Sequence, residues 1–264
     1  MITASDIQVR IAQKTILQGV NFTAKPGHVT AIVGPNGSGK TTLLRALTDE
    51  VPWAGQVQIN GRDTSAYKPW ELAAVRGVLP QAATLAFPFT VIEVVRMGLM
   101  SGIHGHNDTI AQRALDMVGL NGYEKRFFQE LSGGEQQRAH LARVLCQVWE
   151  PVQNGSPRWL LLDEPVASLD IGHQLLIMNC LAVFAQRGGG VVAVMHDLNL
   201  TAMVADVVTI IADGQAIARG PVADVFNDQT LSAAYKCDLR TNTVPTHPKA
   251  FILPQVARLS CSAV

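Results

Sequence analysis

The segment from Gly34 to Thr42 combines glycines, a lysine and hydroxyl side chains at the spacing GxxxxGK[ST]. In such a loop, successive backbone N–H groups point at a β-phosphate, and glycines let the backbone approach it closely. Lys40 would place its charge on the β- and γ-phosphates, and Thr41 would offer its hydroxyl to Mg²⁺. The complete pattern predicts an ATP-binding loop rather than a glycine-rich turn that binds nothing. Its residues are Gly34, Pro35, Asn36, Gly37, Ser38, Gly39, Lys40, Thr41 and Thr42.

Two carboxylates follow the apolar run Leu160–Leu162 and form a second group of chemical interest. In open α/β sheets, ligands collect at the carboxyl ends of strands, so this pair and the phosphate loop can share one edge. Asp163 would hold Mg²⁺, directly or through water, and Glu164 would polarise the attacking water. The alternative is a structural pair that caps the next helix, and the phosphate loop in the same chain disfavours it.

A third group opens a predicted helix. Ser132 as N-cap and Glu135 three residues later form a capping box. The free N–H groups of this helix start, flanked by Gly133 and Gly134, favour the approach of an anion. An ordinary capped helix is one interpretation, and a second phosphate contact is the other. Two phosphate-binding features in one chain would permit an ATP shared between two chains.

These groups require a framework of strands alternating with helices. A continuous apolar run such as Trp159–Leu162 is typical of a strand that is buried on both faces. Interleaved helices, including one from Lys40, favour a mainly parallel sheet, with antiparallel hairpin strands at an edge. The predicted strands are 28–33, 57–59, 75–79, 159–162, 191–195, 207–212 and 215–218.

The middle of the chain has a different pattern. Between Ala82 and Val148 the periodicity is helical, with helices predicted over Thr90–Met100 and Thr109–Gly119. We therefore predict an α/β fold with an inserted helical subdomain. The predicted divisions are a catalytic core over 1–81 and 149–225, a helical subdomain over 82–148, and a C-terminal extension over 226–264.

Composition narrows the class of protein. Lys plus Arg equals Asp plus Glu, at 21 each, which disfavours a nucleic-acid partner because phosphate neutralisation supplies much of that affinity. The longest apolar runs fall short of the roughly 20 residues that a spanning helix needs. No signal peptide is predicted. Four scattered cysteines indicate reduced thiols in a cytosolic protein.

The segment Leu131–Arg138 resembles the signature motif of ATP-binding-cassette (ABC) ATPases, and further motifs follow the family's order. Gln81 resembles the Q-loop glutamine, Asp170 ends a stretch similar to the D-loop, and His196 resembles the switch histidine. The resemblance implies a P-loop ABC cassette that hydrolyses ATP as a head-to-tail homodimer. It also implies that Gln81 reaches Mg²⁺ and the attacking water, and that His196 contacts the γ-phosphate. Asp170 could alternatively cap the next helix.

One position departs from the family pattern. Family members usually stack adenine on an aromatic residue early in the chain, and Ile11 is the best match to that position. Ile11 can pack on the base but offers no π face, so we expect weak discrimination of adenine.

Three stretches resemble importers of metal chelates. The stretch 196–200 is similar to this subfamily, while 85–91 and the linker 149–159 are similar to haemin-importer subunits. The resemblance implies a homodimer beneath an integral-membrane permease dimer, peripheral to the cytoplasmic face of the inner membrane. A periplasmic haem-binding protein would be an indirect partner. Phe87 and Phe89 would seat a helix of the permease or fill the core of the helical subdomain.

The sequence motifs are also compatible with three other functions. A siderophore-iron or cobalamin importer would share the same motifs. A soluble ABC ATPase acting on nucleic acid often carries tandem cassettes or a basic tail, which this chain lacks. A regulatory nucleotide-binding protein without turnover would not need Glu164 as a base.

Overall fold

The computed structural model describes residues 1–81, 85, 87–101, 107–245 and 250–257. The strands are β1 Ile2–Ile11, β2 Lys14–Ala24, β3 Val29–Val33, β4 Ala54–Ile59, β5 Arg62–Asp63, β6 Arg76–Leu79, β7 Val152–Gln153, β8 Ser156–Pro157, β9 Trp159–Asp163, β10 Gly190–Val194, β11 Val207–Ala212 and β12 Gln215–Pro221. The α-helices are α1 Lys40–Leu47, α2 Pro69–Val75, α3 Val91–Ser101, α4 Asp108–Met117, α5 Gly133–Gln147, α6 Ile171–Gln186, α7 Leu198–Val204, α8 Val222–Val225 and α9 Asp228–Tyr235. Short 3₁₀ helices lie at Thr64–Ala66, Phe128–Glu130 and Pro254–Val256.

The central sheet has the strand order β12-β11-β3-β10-β9-β6, with parallel pairs throughout except β11 with β12. Every residue of β3, β9 and β10 is buried, because helices and the second sheet cover both faces. The α/β class, the mainly parallel sheet and its antiparallel edge strand are therefore confirmed. Most strand boundaries shift by about a residue, since Val75 ends α2 and Met195 follows β10, but β12 continues three residues beyond the predicted end at 218.

A second, antiparallel sheet has the order β2-β1-β4-β5. The predicted strand 57–59 lies here rather than at the edge of the parallel sheet, and no strand before residue 28 is predicted from the sequence. Register shifts along β1 explain the omission of β1 and β2, because they break the two-residue alternation that marks a strand. Asp6, with φ of 52°, lies within one of these irregular segments.

The helices α3, α4 and α5 pack against one another between the two strand-rich parts of the chain. Their apolar faces join the main core, in which Val94, Leu115 and Leu141 are almost fully buried. A Cβ placed on Gly98 would lie 1.9 Å from the Arg143 carbonyl oxygen, so α3 and α5 cross at very close range. The two predicted helices are confirmed to within two residues, while the exact domain divisions stay a prediction.

The chain continues after β12 with α8 and α9, which pack on β11 and β12. The 3₁₀ helix Pro254–Val256 lies beside α7. None of the helices formed by the described residues is long and apolar enough to pass through a lipid bilayer. Cys146, Cys180 and Cys237 carry free thiols, whereas Cys261 lies outside the described residues.

Candidate active site

The phosphate loop joins the end of β3 to the start of α1, as the sequence predicts. Gly34 and Gly39 have φ values of 146° and 107°, which L side chains rarely adopt. A Cβ on Gly34 would lie 1.9 Å from the Ile211 carbonyl oxygen, and one on Gly39 would lie 2.7 Å from Leu17. Glycine is required at both positions, because the loop is held tightly against β11 and β2.

Lys40 is folded into this loop. Its ammonium donates to the carbonyl oxygens of Gly34 and Pro35, at 2.9 Å each, and the residue is only 5% exposed. Burial lowers the pKa of Lys40, while the nearby carboxylates of Glu164 and Asp163 partly offset this shift. The positive charge is therefore held in place by backbone carbonyls and by the acidic pair.

The Ser38 hydroxyl is an unpaired polar group within the loop. It is buried and has no hydrogen-bond partner among the described residues. An unpaired buried hydroxyl costs free energy, so a partner with acceptor oxygens would stabilise it. A phosphate group meets this need, and the loop's residues therefore fit a bound nucleotide.

Thr41 and Asp163 meet at the carboxyl edge of the parallel sheet. The Thr41 hydroxyl donates to Asp163 Oδ1 at 3.2 Å, and Asp163 is 3% exposed. Burial raises the pKa of Asp163, and the Thr41 hydrogen bond opposes that rise. Hydroxyl and carboxylate oxygens are hard donors, so the pair fits Mg²⁺.

Glu164 lies at the centre of a polar cluster. Its Oε1 atom is 2.6 Å from His196 Nε2 and accepts from Gln81 Nε2 at 3.1 Å. The structure thus brings together all three predicted catalytic side chains, although Gln81 and His196 lie far from Glu164 in the sequence. His196 donates in this pair when Nε2 carries the proton. The Glu164 side chain is partly accessible, since it is 18% exposed.

The backbone of Glu164 is unusual. Its φ of 52° is left-handed, a conformation that costs a non-glycine residue roughly 1–3 kcal/mol. Two bonds hold it there: its N–H donates to the Val194 carbonyl at 3.1 Å, and its carbonyl accepts from Gln137 Nε2 at 2.7 Å. Gln137 is not predicted from the sequence, because no local pattern distinguishes it from other polar residues of α5. Gln137 ties the helix that follows Ser132 directly to the acidic pair.

Ser132 caps α5 as predicted. Its hydroxyl accepts from the Glu135 N–H at 3.4 Å, and Glu135 Oε2 accepts from the Ser132 N–H and hydroxyl at 2.8 Å each. Ser132 and Gly133 are exposed. In the described part of the chain, no hydrogen bond links Ser132–Gly134 to the phosphate loop. A contact of Ser132–Gly134 with a second chain's ATP stays a prediction.

Asp170 and Ile11 are the remaining predicted site residues. Asp170 caps α6, because its Oδ1 accepts from the His173 N–H at 2.9 Å, and its Oδ2 lies 2.8 Å from His173 Nδ1. Ile11 ends β1, and its side chain is 52% exposed at the β1–β2 turn. The start of β2 contacts Gly39 through Leu17. The hairpin is thus held beside the phosphate loop, where Ile11 has a free apolar surface.

The model of the family described as ABC transporter matches residues 17–167, which contain the phosphate loop, Ser132–Gly134 and the acidic pair. The chain belongs to the ABC transporter family. It is an ATP-binding, ATP-hydrolysing subunit of that family.

Relatives and solved structures of ABC transporter subunits extend this result. The chain is 57% identical to the hemin import ATP-binding protein HmuV of Jannaschia sp. (strain CCS1), over 98% of this chain and 96% of that protein. It is 59% identical to the protein of that name from Roseobacter denitrificans, over 96% and 97%. A dimeric ATP-binding cassette bound to ADP and Pi is similar with a TM-score of 0.73, at 25% identity over 84% of this chain and 99% of that chain.

The stretch 85–91 and the linker 149–159, which resemble haemin-importer subunits, contain side chains that differ in burial. Phe89 packs partly against the main core, whereas Phe87 is 68% exposed, with 6.2 Å between the ring centroids. Each of the two predicted roles thus suits one ring, core filling for Phe89 and docking for Phe87. Ala86, within the same stretch, lies outside the described residues. The linker 149–159 forms the small hairpin β7–β8. Its last residue, Trp159, donates from its indole N–H to Asn60 Oδ1 at 3.0 Å.

Proposed function

We propose that this chain is the ATPase subunit of an importer for haemin, in which two copies dock beneath a membrane permease. Two relatives, each 57–59% identical over at least 96% of this chain, are named hemin import ATP-binding proteins, which supports this cargo. The hydrolytic part of the proposal depends on one observation, the cluster of Gln81, Glu164 and His196 beside the phosphate loop.

The proposed chemistry is in-line attack of water on the γ-phosphate of ATP. The phosphate loop and Lys40 would hold the phosphates, and Glu164 would take the proton of the attacking water. His196 would orient Glu164 and contact the γ-phosphate. Mg²⁺, when bound, supplies charge that stabilises the transferring phosphoryl group. Thr41 and Asp163 would hold this ion, with Gln81 nearby.

The motor step would come from a shared site. Each ATP would lie between one chain's phosphate loop and the other chain's Ser132–Gly134, with Asp170 and Ile11 at the margins. ATP would then favour the closed dimer because it contacts both chains, and hydrolysis would reopen it. The dimeric cassette with ADP and Pi supports this arrangement.

Coupling to the permease would pass through the segment after Gln81. Phe87 is an exposed aromatic side chain close in sequence to a residue of the catalytic cluster, and an apolar pocket on a permease helix would bury it. The subunit would then be peripheral to the cytoplasmic face of the inner membrane. A periplasmic haem-binding protein would deliver the cargo.

The test is reconstitution of this subunit with the permease that copurifies from native membranes. We expect a periplasmic haemin-binding protein loaded with haemin to stimulate ATP hydrolysis in proteoliposomes, whereas the same protein without haemin stimulates it less. Stimulation by a siderophore- or cobalamin-loaded protein instead would overturn the haemin assignment. Absence of any copurifying permease, together with ATP hydrolysis stimulated by nucleic acid, would favour the soluble class of ABC ATPase.

A further inference from the structure

Helix α5 contacts the segment that follows Glu164 through its first turn and through Gln137. A Cβ placed on Gly134, in the first turn, would lie 3.1 Å from the carbonyl oxygen of Ser168. Gln137 is half-buried, and its Nε2 atom donates to the Glu164 carbonyl oxygen at 2.7 Å. The start of α5 and the segment 164–168 are therefore packed closely together and joined by a direct hydrogen bond.

This hydrogen bond acts on the strained backbone of Glu164. A left-handed φ of 52° is costly for a residue with a Cβ, so it persists where neighbouring groups hold it. The Glu164 N–H donates to the Val194 carbonyl, and its own carbonyl accepts from the Ala167 N–H, at 3.1 Å each. These two partners belong to the end of β10 and to the turn after Glu164. The Gln137 amide is the contact by which α5 holds this backbone.

The position of the Glu164 carboxylate depends on that backbone. Its Oε1 atom lies 2.6 Å from His196 Nε2 and 3.1 Å from Gln81 Nε2, and the φ and ψ angles of Glu164 set the direction from which the side chain reaches them. A general base must lie within hydrogen-bond reach of the proton that it takes. A displacement of about 1 Å at such a group can lower the rate by roughly 100-fold. Gln137 therefore affects where the carboxylate lies, although its amide bonds only the backbone.

We propose that Gln137 is a positioning residue that holds Glu164, the general base, in its own chain. In the proposed shared site, Ser132–Gly134 of the same helix contact the ATP on the second chain's phosphate loop. Helix α5 then serves two ATP sites, one through its first turn and the other through Gln137. This role rests on the proposed base and shared site, and it adds a physical connection between the two sites.

The first experiment measures kcat, ATP affinity and ATP-dependent dimerisation for Gln137→Met in the full chain. Methionine keeps an unbranched side chain of similar length but has no N–H to donate. We expect kcat to fall by about 5- to 100-fold, while the dissociation constant for ATP and dimerisation stay within about twofold of wild type. The matched control is Gln136→Met, because the Gln136 Nε2 atom donates to the carbonyls of Leu131 and Phe128, at 3.1 and 3.3 Å.

The control should keep kcat within about twofold of wild type. A wild-type kcat in Gln137→Met would overturn the proposal, as would an equal loss in Gln136→Met. A loss of ATP binding as large as the loss of kcat would also overturn it, because Gln137 would then support the fold rather than the base.

Mixed dimers of differently tagged chains show which site Gln137 serves. In the first dimer, a Gln137→Met chain is paired with a Glu164→Gln chain, so hydrolysis depends on the base beside the altered residue. In the second, one chain carries both substitutions and its partner is wild type. We expect slow hydrolysis in the first dimer, and in the second the rate of a dimer of Glu164→Gln with wild type.

The reverse result would mean that Gln137 acts through Ser132–Gly134 on the second chain's ATP, and it would overturn the proposal. Equal rates in the two mixed dimers would overturn it too. Both experiments use the ATPase subunit alone, so a cargo other than haemin would appear in the reconstitution assay and would change neither outcome here.

Discussion

Replacing Glu164 by glutamine tests the centre of the site. Glutamine has the same shape, so its side-chain carbonyl can still accept from His196 and Gln81 where Glu164 Oε1 now does, at 2.6 and 3.1 Å. What it loses is the charge and the basic oxygen. Removing a general base lowers kcat by about 10²–10⁴-fold, or roughly 3–5 kcal/mol of barrier.

The assay measures single-turnover ATP hydrolysis beside equilibrium ATP binding. We expect binding to persist in Glu164→Gln, because the phosphate loop and Lys40 are intact and a negative charge near the phosphates is gone. Glu150→Gln is the control, since that carboxylate forms an exposed pair with Arg187 at 3.6 Å. Hydrolysis by Glu164→Gln within tenfold of wild type would refute the base role. Loss of ATP binding would show instead that Glu164 mainly supports the loop.

Three further predictions concern the backbone and the start of α5. Gly34→Ala should lower the free energy of unfolding in urea by about 2–6 kcal/mol, from its φ and the clash with the Ile211 carbonyl; an unchanged midpoint would contradict this. The hydrogen bonds from Ser132 lower the pKa of Glu135 in the folded protein. Glu135 therefore stabilises the fold at pH values above 4.5, its pKa in the unfolded chain. This stabilisation is lost as the pH falls through the lowered pKa of the folded state. The melting temperature of Glu135→Gln should therefore lie below that of wild type at pH 7, and the difference should shrink in acid. A difference that does not change with pH would refute this role of Glu135. Ser132→Arg should leave ATP binding by the monomer unchanged and block ATP-dependent dimerisation, which light scattering measures. Dimerisation as in wild type would refute the model of an ATP site shared between two chains.

The short-range motifs were readable because they depend on local geometry. The phosphate loop needs glycines at fixed positions, so its residues could be identified before any contact was known. The strand Trp159–Asp163 was readable because burial on both faces leaves a continuous apolar run. The helix after Ser132 followed from a capping box, which the side chains of Ser132 and Glu135 form in the structure.

Other features were invisible in the local sequence. The strand β1 has register shifts that break its alternation, so the sequence pattern predicts neither β1 nor its hairpin partner β2. Gln137 contacts the Glu164 carbonyl across separate elements, and no spacing rule connects the two residues. The C-terminal helix α9 packs on β11, and no local pattern in the extension after residue 225 predicts this contact.

The sequence by itself determined which residues carry phosphate and carboxylate chemistry, because glycine spacing, capping boxes and buried runs act over a few residues. Only the tertiary structure decided that Gln81, Glu164 and His196 share one carboxylate oxygen. The physical reason is that parallel strands from distant parts of the chain end at one edge of the sheet. Their order, and therefore which side chains meet there, is fixed by packing across the whole core.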